Sequence, residues 1–222
     1  MFELRSPLAT HLAVGGRDGA DGRRSLRIGE LAGWHLVQIG VFERSRAALA
    51  AAVEAVCGCA LPSSPRTVTT SPRLVTASPR TVTTSPPIVT AVPAHRLYRI
   101  AEDQYWLVTQ DRAAAAALSR AIAPQDASIT VLDHARIRLL IEGAAAAALL
   151  ARLVTIDLRP TAFPAGCFAQ TGVHHAGVLL ERSGAERYEM YVLRTFAVST
   201  WEWIVDAAMS YGYDIIDAQT GP

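Results

Sequence analysis

Apolar positions change their period several times along the chain. The stretch "WHLVQIGVF" from Trp34 alternates as a β-strand does, Ser45 stands at an N-cap position, and "RAALAAAVEAV" forms a strong helix that Gly58 ends. Next, "HRLYRIAEDQYWLVT" places two short β-type runs on either side of the turn-like "AEDQ", and "DRAAAAALSRAIAP" predicts a helix halted by Pro124. A second round follows. "SITVLDHARIRLLIEG" supplies two strands around Asp133 and His134, and "GAAAAALLARLV" another helix. After "TIDLRPTAFPAG", a loop punctuated by Pro160 and Pro164, "CFAQTGVHHAGVLLER" and "RYEMYVLR" predict an antiparallel pair joined near Ser183 and Gly184. The last helix is "STWEWIVDAAMSYG".

Helices that return after pairs of strands, rather than after single ones, predict an α+β domain with an antiparallel sheet and ferredoxin-like split βαβ units. The expected organisation is an N-terminal arm and loop over 1–33 and one α+β domain over 34–222, interrupted by an insertion at 60–94. Within the arm, "GGRDGADGRR" has neither apolar period and is expected to be a mobile loop. The insertion carries a tandem heptad, "SPRTVTT SPRLVTA SPRTVTT SPPIVTA", from Ser64 to Ala91. Seven residues fall short of solenoid repeats, and a proline in every unit breaks a coiled coil. The insertion is therefore expected to be solvated and disordered, with a partly paired edge ribbon as the lesser alternative because the Thr-Val runs favour strands.

Half of the 222 residues are hydrophobic, enough to bury a substantial core without staples. Lys and Arg number 21 against 20 Asp and Glu, so no overall field draws the chain to nucleic acid or an anionic membrane. Arg66, Arg73 and Arg80 of the repeat could touch phosphates, but lack the interleaved aromatics of a single-strand binder. No apolar stretch reaches the roughly 20 residues of a spanning helix. Three cysteines, Cys57, Cys59 and Cys167, cannot close a disulfide framework, and the first residues lack a signal-peptide pattern. The expectation is a cytoplasmic protein.

Candidate chemistry centres on Cys167, His174 and His175. In an extended strand His174 and His175 point to opposite faces. Cys167 shares its parity with His175, yet eight residues at about 3.3 Å each set them roughly 26 Å apart, against a Zn–S bond of about 2.3 Å. Further ligands would have to come from His134, His95 or the Cys57-Gly-Cys59 pair, at spacings unlike a zinc framework. One histidine is expected to pack inward and the other to face outward. The chain has neither a Gly-rich phosphate fingerprint nor a Gly-x-Ser-x-Gly elbow, and Asp133 and His134 are sequence neighbours, a poor start for a triad. Glu102 and Asp103 fall at a turn and read as solvated. The expected catalytic, cofactor-binding and metal-binding residues are none.

On a helical wheel of the last helix, Trp201, Ile204, Val205, Ala208, Tyr211 and Gly212 form one face, with Glu202, Asp206 and Ser210 opposite. Trp203, Ala207 and Met209 widen the apolar arc to about 240°, where a surface helix needs little more than 100°. The flanks call for cover, from the N-terminal arm or from another subunit anchored on an aromatic.

The stretches "LIEGAAAAALLARLVTIDLRPTAF", "AQTGVHHAGVLLERSG" and "RYEMYVLRTFAVSTWEWIVDAA", in that order, with "HLVQIGVF" and "RIAEDQYWLV", resemble the gamma subunit of heterotetrameric sarcosine oxidase. The resemblance runs from about Trp34 to the C-terminus apart from the heptad insert. It implies a fold like the folate-binding region of glycine-cleavage T-proteins. It also implies a complex with alpha, beta and delta subunits, alpha in direct contact, that oxidatively demethylates sarcosine in sarcosine catabolism and one-carbon metabolism. FAD, FMN, NAD, zinc and tetrahydrofolate are implied in the partner subunits and none in this chain, and no catalytic residue carries over. The alternative expectations are a free-standing folate-binding or aminomethyltransferase-like protein, and an adaptor that binds nucleic acid through the Ser-Pro-Arg repeats.

Overall fold

The computed structural model describes residues 5–42, 44–64, 68–71 and 95–216. Along the chain come β1 (Gly15–Arg17), β2 (Leu26–Glu30), β3 (His35–Val41), α1 (Arg46–Cys57), β4 (Val68–Ser71), β5 (His95–Ala101), β6 (Gln104–Thr109), α2 (Arg112–Ala121) and β7 (Ala127–Val131). They continue with β8 (Arg136–Glu142), α3 (Ala146–Leu150), β9 (Cys167–Val173), β10 (Ala176–Arg182), β11 (Arg187–Leu193), α4 (Ala197–Ala208) and β12 (Tyr213–Ile215). Two compact units emerge: a continuous one, His35–Val131, and a split one, Met1–Trp34 with Leu132–Pro222.

The continuous unit is an antiparallel sheet in the order β4-β5-β6-β3-β7. Without the edge strand β4, the sequence β3-α1-β5-β6-α2-β7 is the split βαβ arrangement expected from the strand pairs. Alternation along β3 sends Val37, Ile39 and Val41 to one face, where they join Leu97, Tyr105 and Leu107 beneath Leu49 and Val53 of α1 and Leu118 of α2. Each such side chain removed from water contributes about 1.5–3 kcal/mol. The helix ends follow local chemistry. Asp111 caps α2 by accepting from the Ala113 N–H at 2.8 Å, and Gly58 takes a φ of 63° to end α1. Ser45 precedes α1 but makes no side-chain cap; its hydroxyl donates to Asp126 Oδ1 at 2.6 Å.

The split unit is a sheet in the order β1-β12-β2-β8-β11-β10-β9, antiparallel except where β12 runs parallel to β2. One face carries Ile28, Ile137, Leu139, Ile141, Val178, Leu180, Tyr188, Met190 and Val192 into a core closed by α3, α4 and Phe163. Leu8 of the N-terminal segment is fully buried in the same core.

Several expectations change here. Residues 1–33, expected as an arm outside the domain, supply β1 and β2, so backbone contacts divide the chain at 34/35 and 131/132 instead of at 33/34. Glycine-rich Gly15–Arg17 is a strand because an edge needs only backbone partners, here on β12. The loop behind it is tied by Arg24 to Asp18 at 2.7 Å and to Asp214 at 2.6 Å. Within the insertion expected to be disordered, Val68–Ser71 pairs with His95–Tyr98, as the edge-ribbon alternative has it. Residues 65–67 and 72–94, with Arg66, Arg73 and Arg80, lie outside the described residues. The strand expected from Cys167 to Arg182 is two strands, and the helix expected through Val154 is regular only over Ala146–Leu150 before it tightens into turns.

Candidate docking face of the C-terminal helix

The core side of α4 departs in part from the predicted face: Val205 and Tyr211 are only half-buried, and Ala207, expected on a flank, is buried. Trp201, Ile204, Ala207 and Ala208 are buried, while Glu202, Asp206 and Ser210 are exposed. The two over-wide flanks meet different fates.

On one flank stands Trp203. The strand that should have continued through His174 and His175 reverses there: Val173 pairs with Ala176, so the two histidines are the whole loop of a β9–β10 hairpin. Two-residue hairpins need a positive φ at the first central position, and His174 takes 50°. Both imidazoles are exposed, where one was expected to pack inward. They cover Trp203 instead: the His174 ring centre lies 4.4 Å from the indole, and His175 meets it edge-on at 5.2 Å. His175 also sits 6.0 Å from Phe196, in the 3-10 turn before α4.

On the other flank Trp201, Val205 and Met209 recur every fourth residue, beside a parallel ridge of Glu202 and Asp206. Together with His11 these residues line an open groove of about 320 Å³. The N-terminal segment is held close by. Ser6 donates to Glu30, Arg194 donates to the Arg5 carbonyl, and Leu12 packs on the core beside Leu8. Burial raises the Glu30 carboxyl above its ordinary range, with the Ser6 hydrogen bond opposing. His11 of this segment borders the groove beside α4. Arg17 donates to Met209 Sδ at 3.2 Å.

On the second face of the split sheet runs a line of charge that the sequence analysis missed. Arg138 donates through Nε to Glu189 Oε2 at 2.8 Å, Arg187 reaches Glu189 Oε1 at 3.4 Å and Glu142 at 3.2 Å, and Arg27 meets Glu142 at 2.9 Å. Glu189 is wholly buried and Arg138 is 7% exposed. Arg27 and Arg187 each stand directly across from Glu142 in the register. The signal was available in "RIRLLIE" and "RYEMYVL", where charges alternate with apolar residues on two strands that pair.

The remaining candidates do not converge. His95 shares a 2.8 Å hydrogen bond with Thr109 in the continuous unit, and burial lowers its pKa. Cys57 and Cys59 lie buried at the end of α1, and Cys167 is half-buried at the start of β9. Glu102 and Asp103 form the β5–β6 turn, where Arg46 donates to the Glu102 carbonyl and to Asp103 Oδ1, each at 2.8 Å. Asp133 and His134 occupy the turn between β7 and β8. Among the described residues no three metal-capable side chains gather, and no helix is long and apolar enough to cross a membrane.

Two α+β units with antiparallel sheets, one a βαββαβ sheet and the other closed by α4, define the class as the folate-binding fold of glycine-cleavage T-proteins. Residues 95–220 match the family model of the GCVT N-terminal domain, more than half of the chain, and the chain belongs to that family. A chain of the heterotetrameric sarcosine oxidase from Corynebacterium sp. U-96 superposes with a TM-score of 0.74 at 22% identity, covering 94% of this chain and 96% of that one. Aminomethyltransferase T of the glycine cleavage system from Bartonella henselae superposes with a TM-score of 0.59 at 15% identity, covering 94% of this chain and 57% of that one. Both are likenesses of fold. No curated relative matches the chain.

Proposed function

We propose that this chain is the noncatalytic gamma-type subunit of a heterotetrameric sarcosine oxidase, docking to an alpha-type partner while the reacting groups lie on other chains. The observation that carries the reading is mutual coverage. The alignment with the sarcosine oxidase chain spans 94% of one and 96% of the other, whereas the chain spans only 57% of the aminomethyltransferase. The complex would be cytoplasmic and would turn sarcosine over to glycine with oxygen and tetrahydrofolate. FAD, FMN, NAD, zinc and the folate site would belong to the alpha, beta and delta partners. The open groove of α4 is consistent with a protein that works by contact.

The test is co-expression with flavoprotein-like and zinc-binding chains encoded nearby. A yellow complex that keeps this chain through gel filtration, and loses sarcosine oxidation when the chain is omitted, supports the reading. A chain that elutes alone, with no effect on oxidase assembly, refutes it.

The match to the GCVT N-terminal domain over 95–220 favours a second reading, a free-standing folate-binding protein of the aminomethyltransferase type. Calorimetric titration of the isolated chain with tetrahydrofolate separates the two. Micromolar binding supports the second reading, and flat heats remove it.

A further inference from the structure

The groove on α4 has a composition that selects its occupant. Its floor is apolar, from Trp201, Val205 and Met209, and one wall is the carboxylate pair Glu202 and Asp206. Like charges four residues apart on a helix repel. Neither carboxylate has an ion-pair partner among the described residues, and Arg17 is turned onto Met209. Two exposed carboxylates beside an apolar strip complement a partner that is both apolar and cationic.

We propose that this groove is a docking site for a basic amphipathic helix of a partner polypeptide, with leucine-like side chains on the floor and arginine or lysine opposite Glu202 and Asp206. The shape favours a helix. Trp201, Val205 and Met209 make one ridge of fourth residues and Glu202 and Asp206 a second beside it, the surface into which another helix sets its own ridges. The charge excludes the competing occupants. A second copy docked with its twofold axis close to Glu202 and Asp206 would bring like carboxylates together. Nucleic acid and anionic lipid are repelled by the same pair. The volume of about 320 Å³ holds a few side chains of such a helix rather than a whole folded domain.

The inference goes beyond the subunit role and deepens it by naming a contact face, and it rests on the reading that this chain acts by docking. The experiment uses the full-length chain and a fluorescently labelled helical peptide of about 15 residues, long enough to be marginally helical alone, with a leucine stripe and two arginines one turn apart. Anisotropy should report saturable binding. Glu202→Gln with Asp206→Gln should weaken it by about tenfold or more, and added salt should weaken it too, as for a screened charge contact. A sister peptide with glutamate for arginine should not bind. Both carboxylates are exposed, so the double variant should keep the wild-type circular dichroism and thermal midpoint, which are measured alongside. Equal binding to wild type and double variant, equal binding of the two peptides, or no saturable binding overturns the proposal. None of these outcomes depends on whether oxidase subunits co-purify, so the groove and the subunit role fail separately.

Discussion

Glu189 shows what a single residue demands of its surroundings. A fully buried carboxylate stays charged only if cations and donors replace the lost water, and Arg138 and Arg187 do so here. Glu189→Ala should therefore cost about 3–5 kcal/mol, since it removes one member of a buried ion pair and leaves the other in place. Glu189→Leu combined with Arg138→Met should cost clearly less, because it removes both charges. Urea midpoints of the three proteins check this, and equal losses would count against the buried pair. Asp157 is the exposed counterpart. Hydrogen bonds from the Arg159 side chain at 3.0 and 2.9 Å hold its carboxyl at about 2, down from an ordinary 3.8. A depressed carboxylate contributes above its unfolded pKa and loses that contribution as pH falls through about 2. Titration of the Asp157 carboxyl carbon by NMR should show it, and Arg159→Gln should raise the midpoint toward the ordinary carboxylate range, only part of the way because the Arg159 backbone N–H still donates to Asp157 at 3.0 Å. At this scale the sequence was least legible. Ion pairs form between strands far apart in the chain, so Glu142 and Arg27, 115 residues apart, gave no local sign of meeting.

Elements were easier to read, because period and punctuation are local. The strand after Trp34, the helix ended by Gly58, the hairpin about Glu102 and Asp103 and the last helix all stand close to where alternation and breakers put them. The failure at His174 has a physical cause. "TGVHHAGV" alternates acceptably straight through, and histidine is not a strong turn former, yet the hairpin is secured by stacking on Trp203, which is distant in sequence. Hence the candidate site was half legible: the wheel showed that α4 had too much apolar surface, but not which flank the chain itself would cover. Gly212 ends the turn after α4 with a φ of 69°, and a Cβ there would lie 2.0 Å from the Arg23 carbonyl oxygen. Gly212→Ala should cost about 2–4 kcal/mol, the sum of a left-handed backbone and a clash with the N-terminal segment. A lowered thermal midpoint checks it. At the end of α1, the hydrogen bond with Cys59 and then burial keep the Cys57 thiol protonated well above the ordinary range. The same hydrogen bond lowers the Cys59 thiol, but both are buried, so an aromatic disulfide reagent should label half-buried Cys167 first and leave Cys57 and Cys59 until denaturant is added, as mass spectrometry of the labelled peptides will show.

For the whole molecule, the α+β class was legible and the division of the chain was not. Strands β7 and β8 are neighbours in sequence and looked like one pair, but each joins a different sheet. Nothing in the spacing of the N-terminal residues foretold that Leu26–Glu30 would lie between β12 and β8. Removing residues 1–33 should therefore abolish cooperative unfolding of the split unit rather than trim it, because Leu8, Leu26 and Ile28 leave its core together. Hydrogen exchange on the truncated chain should show amides of β8–β11 exchanging fast while those of β3, β5 and β6 remain protected. Uniform protection would contradict this.

The placing of β2 also sets an order of events during synthesis. Residues 35–131 hold every strand of their own sheet and can close as soon as they leave the ribosome, but Leu26–Glu30 must wait for Leu139–Glu142 and then for Tyr213–Ile215. Until Leu139–Glu142 have been made, Leu26 and Ile28 lack the strand that buries them, a window for chaperones and proteases that a contiguous domain would never open.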